Sequence, residues 1–85
     1  MKKYKRFIKL ELGNILKIIN LPIFKSMYKN ETSDDVSIYT TLVFEFDTGL
    51  YNFVGRLGGF LAEDVCGNWT SLSEEDYNRK KDETI

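Results

Sequence analysis

The alternation of apolar and polar positions divides the chain into recognisable segments. Ile8 to Leu12 alternate strictly, the period of a half-buried strand, and Gly13-Asn14 suits a two-residue hairpin turn with Ile15 to Asn20 returning. A basic amphipathic helix competes over residues 4–20. Ile8, Leu12, Ile15, Leu16 and Ile19 also share one helical face, with Lys2, Lys5, Lys9 and Lys17 opposite. Gly13 in mid-helix would cost about 1 kcal/mol, and the β-branched isoleucines prefer strand, so the hairpin is the better reading. Leu21-Pro22 ends either element. Lys29 to Asp35 is polar and turn-forming, a loop. Val36 to Phe46 then forms a central strand, with Val36, Ile38, Thr40, Leu42, Phe44 and Phe46 on one face.

Beyond it, Leu50, Phe53, Val54, Leu57, Leu61 and Val65 recur at three and four residues, which predicts a helix packing one stripe on the sheet, capped by Asp47 or Thr48. Gly55, Gly58 and Gly59 oppose it, and Asp47-Thr48-Gly49 turning a second hairpin is the alternative. Ser71-Leu72-Ser73-Glu74 reads as a capping box opening a charged helix to about Asp82. Acids fill its first turn and bases its last, as the helix dipole prefers, and the residues beyond about 82 should fray. Together these elements predict an α+β fold: a small antiparallel sheet of three to four strands packed by one helix, with a short charged C-terminal helix. Residues 1–85 form one domain.

Composition narrows the chemistry. With 85 residues the chain has material for one core and little for an internal active-site cavity. Its histidine count is zero and its cysteine count one, which removes zinc fingers and histidine-based triads. A lone Cys66 suits a reducing, cytoplasmic setting, where it reads as a small buried hydrophobe. No run is long enough to span a membrane, and no signal cleavage site follows the basic start. Neither Asp34-Asp35 nor Glu74-Glu75-Asp76 has the spacing of a calcium loop. No metal, cofactor or complete catalytic set is expected, so the protein is read as a non-enzyme.

Charge is unevenly placed. Up to Lys29 there are eight bases against one acid; the remainder has four bases against twelve acids, for a net charge of −1. If the fold keeps the two signs apart, each face steers partners of opposite sign.

Two short motifs carry candidate chemistry. Phe46-Asp47-Thr48-Gly49 resembles the Asp-Thr-Gly triplet of aspartic proteases, but departs from it at Leu50, and a helix cap or glycine turn needs the same residues. Val54-Gly55-Arg56-Leu57-Gly58-Gly59 resembles the glycine-x-x-glycine loop of KH domains, whose amides approach nucleic-acid phosphates. It departs from that pattern at Leu57 and in the acids Glu63 and Asp64 that follow; close packing at the glycines is the rival explanation. An anion-binding role would draw on Lys3, Lys5, Arg6, Lys9 and Arg56, with the Gly55–Gly58 loop.

The leading expectation is a protein-binding module acting by occupancy. Glu63, Asp64, Glu74, Glu75 and Asp76 would form an acidic surface, with Trp69 and Tyr77 as aromatic anchors, for a basic surface of a host protein. Trp69 closing the core is the simpler alternative. In size, lysine- and asparagine-rich composition and lack of catalytic chemistry the chain resembles small inhibitors encoded by phages and other mobile elements, a likeness of general character carried by no motif. Nucleic acid is the second choice of partner, and exposed strand edges could pair two copies as a homodimer.

Overall fold

The computed structural model describes residues 3–33 and 38–83. Six strands and two short helices follow in the order β1 (Tyr4–Lys9), α1 (Ile15–Ile19), β2 (Phe24–Ser33), β3 (Ile38–Asp47), β4 (Asn52–Arg56), β5 (Phe60–Asp64), β6 (Trp69–Leu72) and α2 (Glu74–Lys80). Single 3₁₀ turns precede α1 at Leu12–Asn14 and follow α2 at Lys81–Glu83. The strands form two antiparallel three-stranded sheets, β1-β5-β6 and β2-β3-β4, so the fold is mixed α+β and mostly strand.

The two sheets face each other through Phe44 and Phe46 of β3 and Ile8, Leu61 and Trp69 of the other sheet, with Leu10, Ile18 and Ile23 joining from the connections. Phe44, Phe46, Leu10, Ile18 and Leu61 are fully buried, each worth roughly 1.5–3 kcal/mol relative to exposure. Phe53 stacks on Phe46 at 5.1 Å between ring centroids. On the far side of the β1-β5-β6 sheet, Phe60, Ala62 and Leu72 form a second, smaller core that α2 covers. Tyr77 of α2 lies flat on Phe60 at 3.7 Å and meets the edge of Phe7 at 5.2 Å.

Several sequence expectations change. Residues 4–20 form neither a hairpin nor a long helix: the strand starts at Tyr4, ends at Lys9, and the isoleucine-rich segment makes a single helical turn and a half. Leu10, just past the end of β1, and Ile18, in α1, go to zero exposure, so the apparent alternation through Leu12 ran beyond the strand. The helix expected from Leu50 to Val65 is two strands instead. Asp47-Thr48-Gly49 turns a hairpin from β3 into β4, with Gly49 at φ +90°, a conformation open to glycine and costly for other residues. Thr48 N–H bonds the Tyr51 carbonyl at 3.0 Å and Thr48 Oγ accepts the amides of Leu50 and Tyr51. Lys29 to Ser33, read as loop, extends β2; Asp34, Asp35, Val36 and Ser37 lie outside the described residues. Two sheets thus replace one, with no long helix packing either. β3 is central in its sheet, as its pattern implied, although Ile38 at its start is 73% exposed. The charged helix exists, but its cap is Ser73, whose hydroxyl accepts from Asp76 N–H at 3.1 Å; Ser71 lies in β6. No helix among the described residues is long and apolar enough to cross a membrane.

Candidate functional site

Two turns and the start of β1 meet at one end of the molecule and leave a groove of about 630 Å³, walled by Tyr4, Tyr51, Val65 and the accessible edge of Trp69, with Lys3, Asp64 and Cys66 at its margin. Local chemistry builds each wall. Between β5 and β6 the chain must reverse, and Asp64 organises that turn: its carboxylate accepts the amides of Cys66 and Asn68, both at 2.9 Å, while Gly67 takes φ +86°. These donors favour the ionised carboxylate, and they hold Asp64 below the ordinary value of 3.8, the Asn68 amide contributing most. Tyr51, delivered by the β3–β4 turn, fastens one sheet to the other. Its hydroxyl accepts from Trp69 N–H at 3.0 Å and donates to the Trp69 carbonyl at 2.5 Å. The Asp64 carboxylate, the Asn68 side chain and the Tyr51 hydroxyl are therefore spent on the fold, while Lys3, Tyr4 and Thr70 bring further polar groups to a lining that is mainly apolar. Leu50 (89% exposed), Val65 (53%) and Tyr51 (40%) extend this apolar end onto the surface, an arrangement that marks interaction sites.

The predicted partner-binding residues are not gathered into one face. Trp69 is in the inter-sheet core, with Arg6 5.0 Å above its ring, so only its edge reaches the groove. Glu63 is held by Arg6 at 2.9 Å. Asp76 is held by Arg79 and lies below its ordinary range, the Arg79 hydrogen bond being the main cause. Tyr77 is packed on Phe60. Glu74 and Glu75 are exposed and have no ionic partner among the described residues, but they follow the far end of β6, a four-residue strand that spans about 13 Å. The two signs of charge are interleaved for the same reason. Pairing β1 with β5 sets Arg6 against Glu63, the C-terminal turn brings Glu83 within 3.9 Å of Lys3, and Lys25 lies 3.6 Å from Glu45.

The anion-binding expectation meets the same kind of obstacle. Gly55 is packed so closely that a Cβ there would lie 2.5 Å from Leu10 Cδ1, and one on Gly59 would lie 2.8 Å from the Leu72 carbonyl oxygen. The amides of Leu57, Gly58 and Gly59 donate to the carbonyls of Leu42, Leu10 and Arg56, so none faces a phosphate. Arg56 does border a second cleft, of about 460 Å³, but shares it with Glu74. Lys3, Arg6 and Lys9 are paired with Glu83, Glu63 and Glu11; Lys5 is exposed. The Asp-Thr-Gly triplet is equally committed, since Asp47 Oδ1 accepts the Gly49 amide at 2.8 Å to shape the turn. Cys66, expected to be buried, is exposed in the β5–β6 turn. Among the described residues no group of three or more Cys, Asp and Glu side chains is placed to hold a metal.

Sequence reading missed Tyr51, Val65 and Leu50. Their signal is present in outline: apolar residues directly beside the turn formers Asp47-Thr48-Gly49 and Gly67-Asn68, where a hairpin leaves them at the tip. Comparison with family models, with curated proteins and with solved structures finds no match for this chain.

Proposed function

We propose that the protein is a small non-enzymatic binding module that acts by occupancy on another protein, in the manner of inhibitors encoded by phages and other mobile elements. The observation that carries this reading is the groove between the Gly49 and Gly67 turns. Its Asp64 carboxylate and Tyr51 hydroxyl are satisfied internally, so beside Tyr51 and Val65 it offers an apolar side chain a place to bury without stranding those groups. Val65 of the groove wall is exposed, as is Leu50, the chain neighbour of Tyr51. The exposed Glu74 and Glu75 supply secondary, salt-sensitive attraction to a basic surface and do not anchor the complex. The exposed single thiol of Cys66 is consistent with a reducing, cytoplasmic place of action.

Cys66 also supplies the test, because it stands at the groove margin and is the sole cysteine. A photo-crosslinker attached there and activated in lysate of the cell of origin should label a defined protein, with unlabelled wild type competing the product away. Val65→Glu should abolish labelling, and Glu74→Lys/Glu75→Lys should weaken it only at low salt. Labelling indifferent to Val65→Glu would exclude the groove as the docking site.

A further inference from the structure

β2 is an edge strand of ten residues, paired with β3 on one side and, among the described residues, with no strand on the other. It contains no proline and is open to solvent, with Met27 41% and Tyr28 45% exposed. Such an edge invites another strand unless charge or irregularity blocks it. Both devices are present, at particular places. The register shifts between Phe24 and Ser26, so the edge is irregular at Lys25, and Lys25 is already paired with Glu45. From Ser26 to Ser33 the pairing with β3 is regular.

Within that regular stretch the charges are Lys29 and Glu31, two residues apart and so on the same face of the strand. Neither has an ionic partner among the described residues, since their neighbours across the sheet are Leu42 and Thr40. Against an uncharged strand they would discourage pairing. Against an antiparallel copy of itself centred on Asn30 the sequence is self-complementary: each Lys29 stands opposite Glu31 of the second copy, and Met27 stands opposite Ser33. We propose that the outer edge of β2 pairs with β2 of a second copy in this register, joining two β2-β3-β4 sheets into one six-stranded sheet about a two-fold axis. The occupant is another molecule of this chain because only it carries the reversed charge order at matching spacing. The interface is separate from the groove, which belongs to the other end of β3 and to the β5–β6 turn.

Sedimentation over a concentration series tests this directly on the intact protein. Wild type should dimerise, less so at high salt. Lys29→Glu and Glu31→Lys, each setting like charges opposite one another twice per dimer, should each raise the dissociation constant by about tenfold or more. The double variant Lys29→Glu/Glu31→Lys restores opposite charges and should recover dimerisation. Both sites are exposed, and urea unfolding of each variant checks that the fold is unchanged. A wild type that stays monomeric at every concentration overturns the proposal. So does a dimer indifferent to the single reversals, a double variant no better than the singles, or a Lys25→Glu variant that weakens the dimer more than Lys29→Glu.

Discussion

Two concavities of this molecule are built by opposite means. The cleft beside Gly55, Gly58 and Gly59 exists because side chains are missing, and the freed space lets neighbours close in: the Leu72 carbonyl over Gly59 and the Leu10 side chain over Gly55. The groove beside Tyr51 and Trp69 exists because two turns stop short of each other, and its walls are side chains. The first resembles a phosphate loop in sequence, yet its amides are consumed by neighbouring strands. The second has no sequence motif, yet it presents a mainly apolar surface in which the Asp64 carboxylate and the Tyr51 hydroxyl are already paired. A glycine pattern reports where the backbone needs room; it does not report whether that room faces a ligand.

The comparison can be broken most sharply at Gly59. A Cβ there meets the Leu72 and Arg56 carbonyl oxygens at 2.8 and 3.2 Å, backbone atoms that cannot rotate away. Gly59→Ala should therefore cost about 2–3 kcal/mol, read from the urea midpoint. A variant as stable as wild type would mean that the glycine is kept for something other than packing. Tyr51→Phe is the matching test at the groove. It removes a donor to the Trp69 carbonyl and an acceptor for the Trp69 amide, and should cost about 1–2 kcal/mol. Trp69 fluorescence should change with it, because the ring's strand loses its tie to the β3–β4 turn.

The smallest effect is the pH dependence at Asp64. Its carboxyl is held below 3.8 in the folded protein by the turn amides, so folding favours the ionised form. That contribution is complete above the unfolded value near 4 and is lost as pH falls through the lower folded value. The urea midpoint should drop between neutral and strongly acidic pH. Asp64→Asn should lower stability at neutral pH and reduce that drop, and an unchanged drop would show that Asp64 does not organise the turn. Asp76, lowered by Arg79 and by the Ser73 hydroxyl, adds a drop in the same direction and remains in the Asp64→Asn variant as an internal reference.

Much of the local structure was legible. The alternation through Phe46 located the central strand, and the acids and bases around Tyr77 located α2, because both signals depend on neighbours along the chain. The segment from Leu50 to Val65 was misread because its apolar residues recur at helical spacing while serving different elements. Phe53 faces the inter-sheet core, Leu61 faces the same core from the other sheet, and Leu50, Val54 and Val65 stay exposed. Gly55, Gly58 and Gly59, which argued against a helix, were the better guide.

Residue identity alone settled that this chain carries no histidine chemistry and that a helix whose charges suit its dipole follows Ser73, while it held the turn at Gly49 only as the alternative to a helix. Only the tertiary structure decided which charges meet. Lys3 and Arg6 lie far from their acidic partners along the chain; the pairing of β1 with β5 brought Arg6 to Glu63, and the turn after α2 brought Glu83 to Lys3. The same pairing dissolved the division into a basic and an acidic half, because strand order in a sheet depends on which apolar faces can be buried together, and that is set by contacts between distant residues.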